Sequence, residues 1–151
     1  MGFLQRFDPV VHALLRIIVG FLFACHGASK IFGVLGGPPA GLPAGLLWST
    51  GFIELVGGVL VMVGLFGAAT AFVCSGEMAV AYFMVHQPRA LFPLLNGGEL
   101  AILNCWVFLL IAVRGSGIWS VDAARGAGGL AAGGGVGYLA VTETVELRMR
   151  D

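Results

Sequence analysis

Charge is what this chain has least of. Asp, Glu, Lys and Arg together make up 11% of its 151 residues and the net charge is zero, whereas soluble domains carry about 25% charged residues. With 58% hydrophobic residues and a mean hydropathy of +0.97, the composition excludes an ordinary soluble globular domain. The balanced charge offers no basic surface for nucleic acid, which is excluded as a partner. Cysteine is also scarce. Cys25, Cys74 and Cys105 fall in three different apolar runs with no CxxC between them, so neither a zinc site, a c-type haem attachment nor an iron-sulfur cluster is encoded. Their plain reading is three small buried residues; a thiol relay requires two of the sulfurs within disulfide range. A Gly-rich dinucleotide fingerprint and a phosphate-binding loop are missing as well. Redox chemistry in this chain therefore calls for a partner.

What the chain does have is apolar runs close to the ~20 residues a helix needs to span a bilayer. Four are read from the sequence, at 10–32, 46–66, 68–86 and 98–113. They predict an all-α fold, an integral membrane four-helix bundle over residues 1–125. The second and third runs are separated only around Gly67, which requires antiparallel neighbours. A secretory leader is the rival for the first run, but Arg16 interrupts it and the apolar stretch continues past Cys25 to Phe32, long enough to remain as a span. The segment from Gly33 to Gly45 holds three prolines and no charge, and reads as an irregular, membrane-dipping loop. Pro88, Pro93 and Asn96-Gly97-Gly98 mark another loop, lying at the interface. Residues 126–151 are Gly-rich with a polar end, and are expected to form a flexible tail.

Cationic residues set the orientation. Arg6 precedes the first span and Arg114 and Arg125 follow the fourth, against Arg89 on the other side, so the expectation is a multi-pass protein of the cell membrane with both termini cytoplasmic. Small residues at Gly20, Ala24 and Ala28, and at Ala71, Ser75 and Ala79, form stripes that allow close helix approach.

Polar residues inside these runs are the functional candidates, because a charge in hydrocarbon costs a few kcal/mol unless paired or wetted. Arg16 and Lys30 share a helix face but stand about 21 Å apart along the axis, in opposite leaflets. Counting from the helix ends places His26, Lys30, Glu54 and Glu99 together in the outer half, as a polar pocket. Glu77 falls near the middle of the third span, and Arg16 is its expected intramembrane ion-pair partner.

Arg16, the block His26-Gly27-x-x-Lys30-x-x-Gly33, Gly51-x-x-Glu54-x-x-Gly57-Gly58, Glu77-Met78, Asn96-Gly97-Gly98-Glu99 and Gly115-Ser116-Gly117-x-Trp119-Ser120-x-Asp122 resemble the DoxX family from about Asp8 to Asp122. The resemblance implies a small four-helix membrane protein related to subunits of thiosulfate:quinone oxidoreductase and to membrane components of thiol and oxidative-stress defence. Arg16, His26, Lys30, Glu54, Glu77 and Glu99 match the family pattern, which assigns them no chemical role.

The leading expectation is a subunit of a quinone- or thiol/sulfur-linked redox assembly, not catalytic alone. Its pocket would take a quinone or another polar-headed ligand, with His26 and Lys30 donating hydrogen bonds and Glu54 or Glu99 exchanging protons. The expected partners are the bilayer, a soluble or membrane oxidoreductase, and further copies of the chain in a homo-oligomer. No metal is expected, although His26, Glu54 and Glu99 are ligand types that suit divalent ions. A small proton-coupled transporter and a non-catalytic scaffold, in which the charges only specify helix packing, are the alternatives.

Overall fold

A computed structural model describes residues 2–38 and 41–126; beyond Gly126 the expected tail lies outside the described residues. Among the described residues every regular element is helical. Three helices are long and apolar enough to cross a membrane: α1, Asp8–Phe32; α2, Ala44–Val63; and α3, Gly67–Arg89. The fourth expected run forms α4, Glu99–Arg114, of 16 residues. Single-turn helices cover Gly2–Gln5, Pro93–Asn96 and Val121–Ala124.

Local chemistry sets these boundaries. Asp8 and Pro9 open α1, the acid beside the unpaired first-turn N–H groups and the proline where no N–H is needed. Gly33, at φ +69°, closes it by returning its N–H to the Ser29 carbonyl. α2 ends at Val63, three residues before its expected limit, because Gly64 and Phe66 both take left-handed backbone angles. Neither α2 nor α3 is α-helical throughout. Ile53–Gly57 in α2 and Tyr82–His86 in α3 are π-helical turns, an arrangement that occurs chiefly as short interruptions near functional positions.

α1 packs along α2 and α3 along α4, and the π-turn of α2 joins the two pairs. The α1–α2 seam is built from glycine. A Cβ at Gly20 would strike the backbone of Met62 and Gly58, one at Gly58 the backbone of Ala24, and one at Gly27 the backbone of Leu55. The seam includes Gly20, Ala24 and Gly27, all buried. Between the pairs lies a small core of Phe23, Val61, Ala71, Cys74, Met78, Phe108 and Ile111, in which the Phe23 and Phe108 rings meet edge to face at 4.6 Å. Phe21, Leu22, Phe72, Leu103, Trp106 and Leu110 stand exposed on the outer surface. Such a surface is unfavourable in water and ordinary in lipid.

Polar contacts close one end of the bundle. Asp8, opening α1, pairs with Arg114, closing α4, so the first and last long helices begin and end on the same side. His12 donates from Nε2 to the Gly115 carbonyl at 2.9 Å. The Asp122 carboxylate accepts the Phe66 and Gly67 N–H groups at 3.0 Å each and the Ser116 hydroxyl at 2.5 Å, which caps α3 from a residue 55 positions away. Desolvation works to raise the Asp122 pKa, but those hydrogen bonds, with the nearby Arg125 charge, hold it below the ordinary carboxylate value.

Candidate functional site

At the opposite end, a cavity of about 410 Å³ lies between all four long helices, within the size range of small-ligand sites. α1 supplies Phe23, His26 and Lys30 to its wall, and α2 supplies Leu46, Thr50 and Glu54. α3 adds Glu77, Met78 and the π-turn residues Met84, Val85 and His86, while α4 adds Leu100, Ala101 and Asn104. Gly41 and Leu42, from the proline-rich segment, complete it beside Arg89 and Gly97.

The helical repeat explains the grouping. His26 and Lys30 are four residues apart and Thr50 and Glu54 likewise, so each pair shares a face. Close approach at Gly27 and Gly51 brings these faces together, since a Cβ at Gly51 would meet the Lys30 Cβ at 3.0 Å. Lys30 Nζ then reaches Glu54 Oε1 at 2.7 Å and Thr50 Oγ1 at 3.1 Å. Glu54, 4% exposed, sits in the π-turn, and its second oxygen has no hydrogen-bond partner. Glu77 is 9% exposed, and neither of its carboxylate oxygens has a partner. Buried polar atoms are ordinarily satisfied, so three such oxygens without a hydrogen-bond partner set this cavity wall apart from the rest of the bundle.

The outer wall is held by Asn96. Its side chain donates to the Ala90 carbonyl and accepts from the Gly98 N–H, both at 2.8 Å, while His86 Nδ1 lies 3.2 Å from its backbone carbonyl. Because a carbonyl only accepts, Nδ1 carries the proton and Nε2 is left for other partners.

Two sequence expectations are corrected. Arg16 does not pair with Glu77. Fully buried, it donates from Nη1 to the Val61 and Met62 carbonyls at 2.7 and 2.5 Å, and from Nη2 to the Trp119 carbonyl at 2.8 Å. Val61 and Met62 lie in the last turn of α2, whose carbonyls carry the negative end of the helix dipole and so draw the guanidinium; the Val61 carbonyl also accepts the Gly64 N–H. Glu77 lies ten residues into α3, about 15 Å further along the bundle. Glu99 also stands apart from the pocket expected with His26, Lys30 and Glu54. It is exposed at the start of α4, and α4 meets the cavity through Leu100, Ala101 and Asn104 instead. The ligand set His26, Glu54 and Glu99 therefore does not assemble, and the described residues contain no metal-binding group of three or more His, Cys, Asp or Glu.

His12, Asn96 and Asp122 were not singled out by depth and charge. Asn96 and Asp122 stand in short Gly-containing motifs, the available sequence signal, whereas His12 gives none that separates it from an ordinary helix-start residue. The three cysteines are free: Cys74 is buried against Gly57, Cys105 lies beside Ser75, and Cys25 is partly exposed.

The family model described as DoxX matches residues 11–87. The chain belongs to the DoxX family. Over 130 residues it is 39% identical to an uncharacterized protein of Haemophilus influenzae, an alignment covering 81% of this chain and 96% of that relative. Over 56 residues it is 45% identical to a Bacillus subtilis protein named "Putative oxidoreductase CatD", covering 34% of this chain and 42% of the relative. No solved structure matches the chain. The DoxX match contains Arg16, His26, Lys30, Glu54 and Glu77; the α4 wall of the cavity and the Asp122 cap lie beyond it.

Proposed function

We propose that this DoxX protein is a four-helix, multi-pass subunit of a membrane redox assembly, formed by residues 1–125 with both termini cytoplasmic. The cavity receives a small lipophilic ligand with a polar head, a quinone being the first candidate. The observation that carries this reading is an ion pair between half-buried Lys30 and buried Glu54, with an unpartnered Glu77, on the wall of one largely apolar cavity. Similarity to the Bacillus subtilis protein supports the redox half of the proposal.

Lys30 uses two of its three N–H groups on Glu54 and Thr50, leaving one, with His26, to hold a ligand oxygen. Glu77 would exchange the proton. The sequence carries no dinucleotide fingerprint, c-type haem attachment or iron-sulfur cysteine set, so on this reading the electrons come from a partner oxidoreductase. Purification in lipid nanodiscs followed by mass spectrometry of bound lipophiles tests the reading. Recovery of a quinone in proportion to protein, and a rise in Tm when it is added back, are expected. Repeated absence of any redox-active lipophile, together with an unchanged Tm, would overturn it.

Glu77 favours one second reading, a proton-coupled transporter, because an unpartnered carboxyl halfway along a helix suits a proton path. In liposomes, that reading requires flux above the protein-free background that falls for Glu77→Gln.

A further inference from the structure

The cavity wall carries two cations, Lys30 and Arg89, and two carboxylates, Glu54 and Glu77, but the two carboxylates are not equally partnered. Lys30 offsets Glu54, with which it pairs at 2.7 Å, and the side chain of Glu77 has no ion-pair or hydrogen-bond partner among the described residues. Three carboxylate oxygens are buried without a donor: both of Glu77 and Oε2 of Glu54. A buried carboxylate without a partner is costly, and the cost falls when a cation with N–H groups supplies the missing bonds. The rest of the wall is of another kind. Leu42, Leu46, Met78, Met84, Val85 and Leu100 offer apolar surface, and the two methionines adapt to irregular shapes.

We propose that the cavity binds primary amines with an apolar tail, the ammonium head lying between Glu77 and the free oxygen of Glu54 and the tail along the leucines and methionines. A primary ammonium carries three N–H donors, matching the three unpartnered oxygens. A quinone carbonyl, a carboxylate or an ether brings acceptors only, and can partner Glu77 only when Glu77 carries a proton. The inference goes beyond the redox reading: it uses the same cavity but requires no electron transfer, and each is measured with its own probe.

The test uses the full chain in nanodiscs of zwitterionic phosphatidylcholine, with empty nanodiscs measured alongside to subtract partitioning. Calorimetric titration with octylamine is expected to show saturable binding at one molecule per chain, with a rise in Tm. Octanol, octanoate and octyltrimethylammonium, which lack the charge, reverse it, or lack the N–H donors, are expected to behave as they do with empty nanodiscs. Glu77→Gln should weaken octylamine binding by about tenfold to a hundredfold, the range for hydrogen bonds to a charged group, and Glu99→Gln should leave it unchanged. Octylamine binding no greater than in empty nanodiscs overturns the proposal. So does equal saturable binding of octanol, the result expected if Glu77 simply carries a proton, or of octyltrimethylammonium. These comparisons use the unaltered protein and do not depend on how a variant folds. Loss of the amine signal with quinone recovered by mass spectrometry would reject the amine and leave the redox reading standing; the converse would do the opposite.

Discussion

The Arg16 guanidinium and the Trp119 carbonyl meet at 2.8 Å across a sequence separation of 103 residues, with the same side chain holding the end of α2 at Val61 and Met62. One buried cation thus fastens three segments, α1, the end of α2 and the stretch after α4.

Arg16→Met is therefore expected to lower stability by on the order of 3 kcal/mol, since it removes three charged hydrogen bonds, to the Val61, Met62 and Trp119 carbonyls. Arg16→Lys should recover only part of this, because a single ammonium does not reproduce the planar fork that spans two segments. Thermal unfolding of both variants in nanodiscs checks the order; a Lys variant as stable as the parent would show that charge alone suffices.

Lys30 and Glu54 should behave as a unit. Lys30→Met strands Glu54 beside Glu77 and is expected to cost about 3 kcal/mol or more, while the double replacement Lys30→Met with Glu54→Leu should regain most of that loss. A double-mutant cycle on unfolding midpoints measures the coupling. A coupling near zero would mean that the pair, although close, contributes nothing to the fold.

The Asp122 cap sets a pH dependence at one end of the bundle. Its pKa is lowered in the folded protein, so its stabilisation is complete above the unfolded-state value near 3.9 and is lost as the pH falls through the lower folded value. The protection of the Phe66 and Gly67 amides, that is, their exchange rate relative to the intrinsic rate at each pH, should thus be level through neutral pH and fall only in strong acid. Asp122→Ala should remove this behaviour and cost about 1 kcal/mol at pH 7.

The α1–α2 seam gives a steric prediction. Gly58→Val places two methyl groups against the Ala24 and Gly20 backbones, with an expected loss of about 1–3 kcal/mol from overpacking. Gly76→Val, on the open face of α3 where a Cβ meets nothing within 4 Å, should be far milder. Unfolding midpoints of the two variants, compared directly, provide the check.

These contacts also show what the sequence could convey. Apolar run length placed the helices to within a few residues, and the spacing of His26 with Lys30 was legible as one turn of α1 because it depends only on helical periodicity, whereas Thr50, an uncharged residue, gave no signal of its place beside Lys30. Depth counting went astray at Arg16 and Glu99 for separate reasons. Arg16 found its acceptors in main-chain carbonyls, which every residue has and no sequence advertises. Glu99 was matched to the right level of the bundle but the wrong azimuth, since rotation of α4 is set by packing against α3 and not by distance from a helix end. The Asp122 cap was hidden for a third reason: it joins a short motif to a turn more than fifty residues away, and local pattern carries no trace of that meeting.

The π-turn at Ile53–Gly57 accommodates more residues per turn than the helix on either side. Excising a single position there would wind α2 back to uniform pitch and swing Glu54 by about 100°, detaching it from Lys30 while leaving every side chain in the cavity chemically intact. Register, and not only residue identity, is thus something that evolution or design can edit in this protein, and a one-codon deletion is a sharper instrument for dismantling the polar centre than any replacement within it.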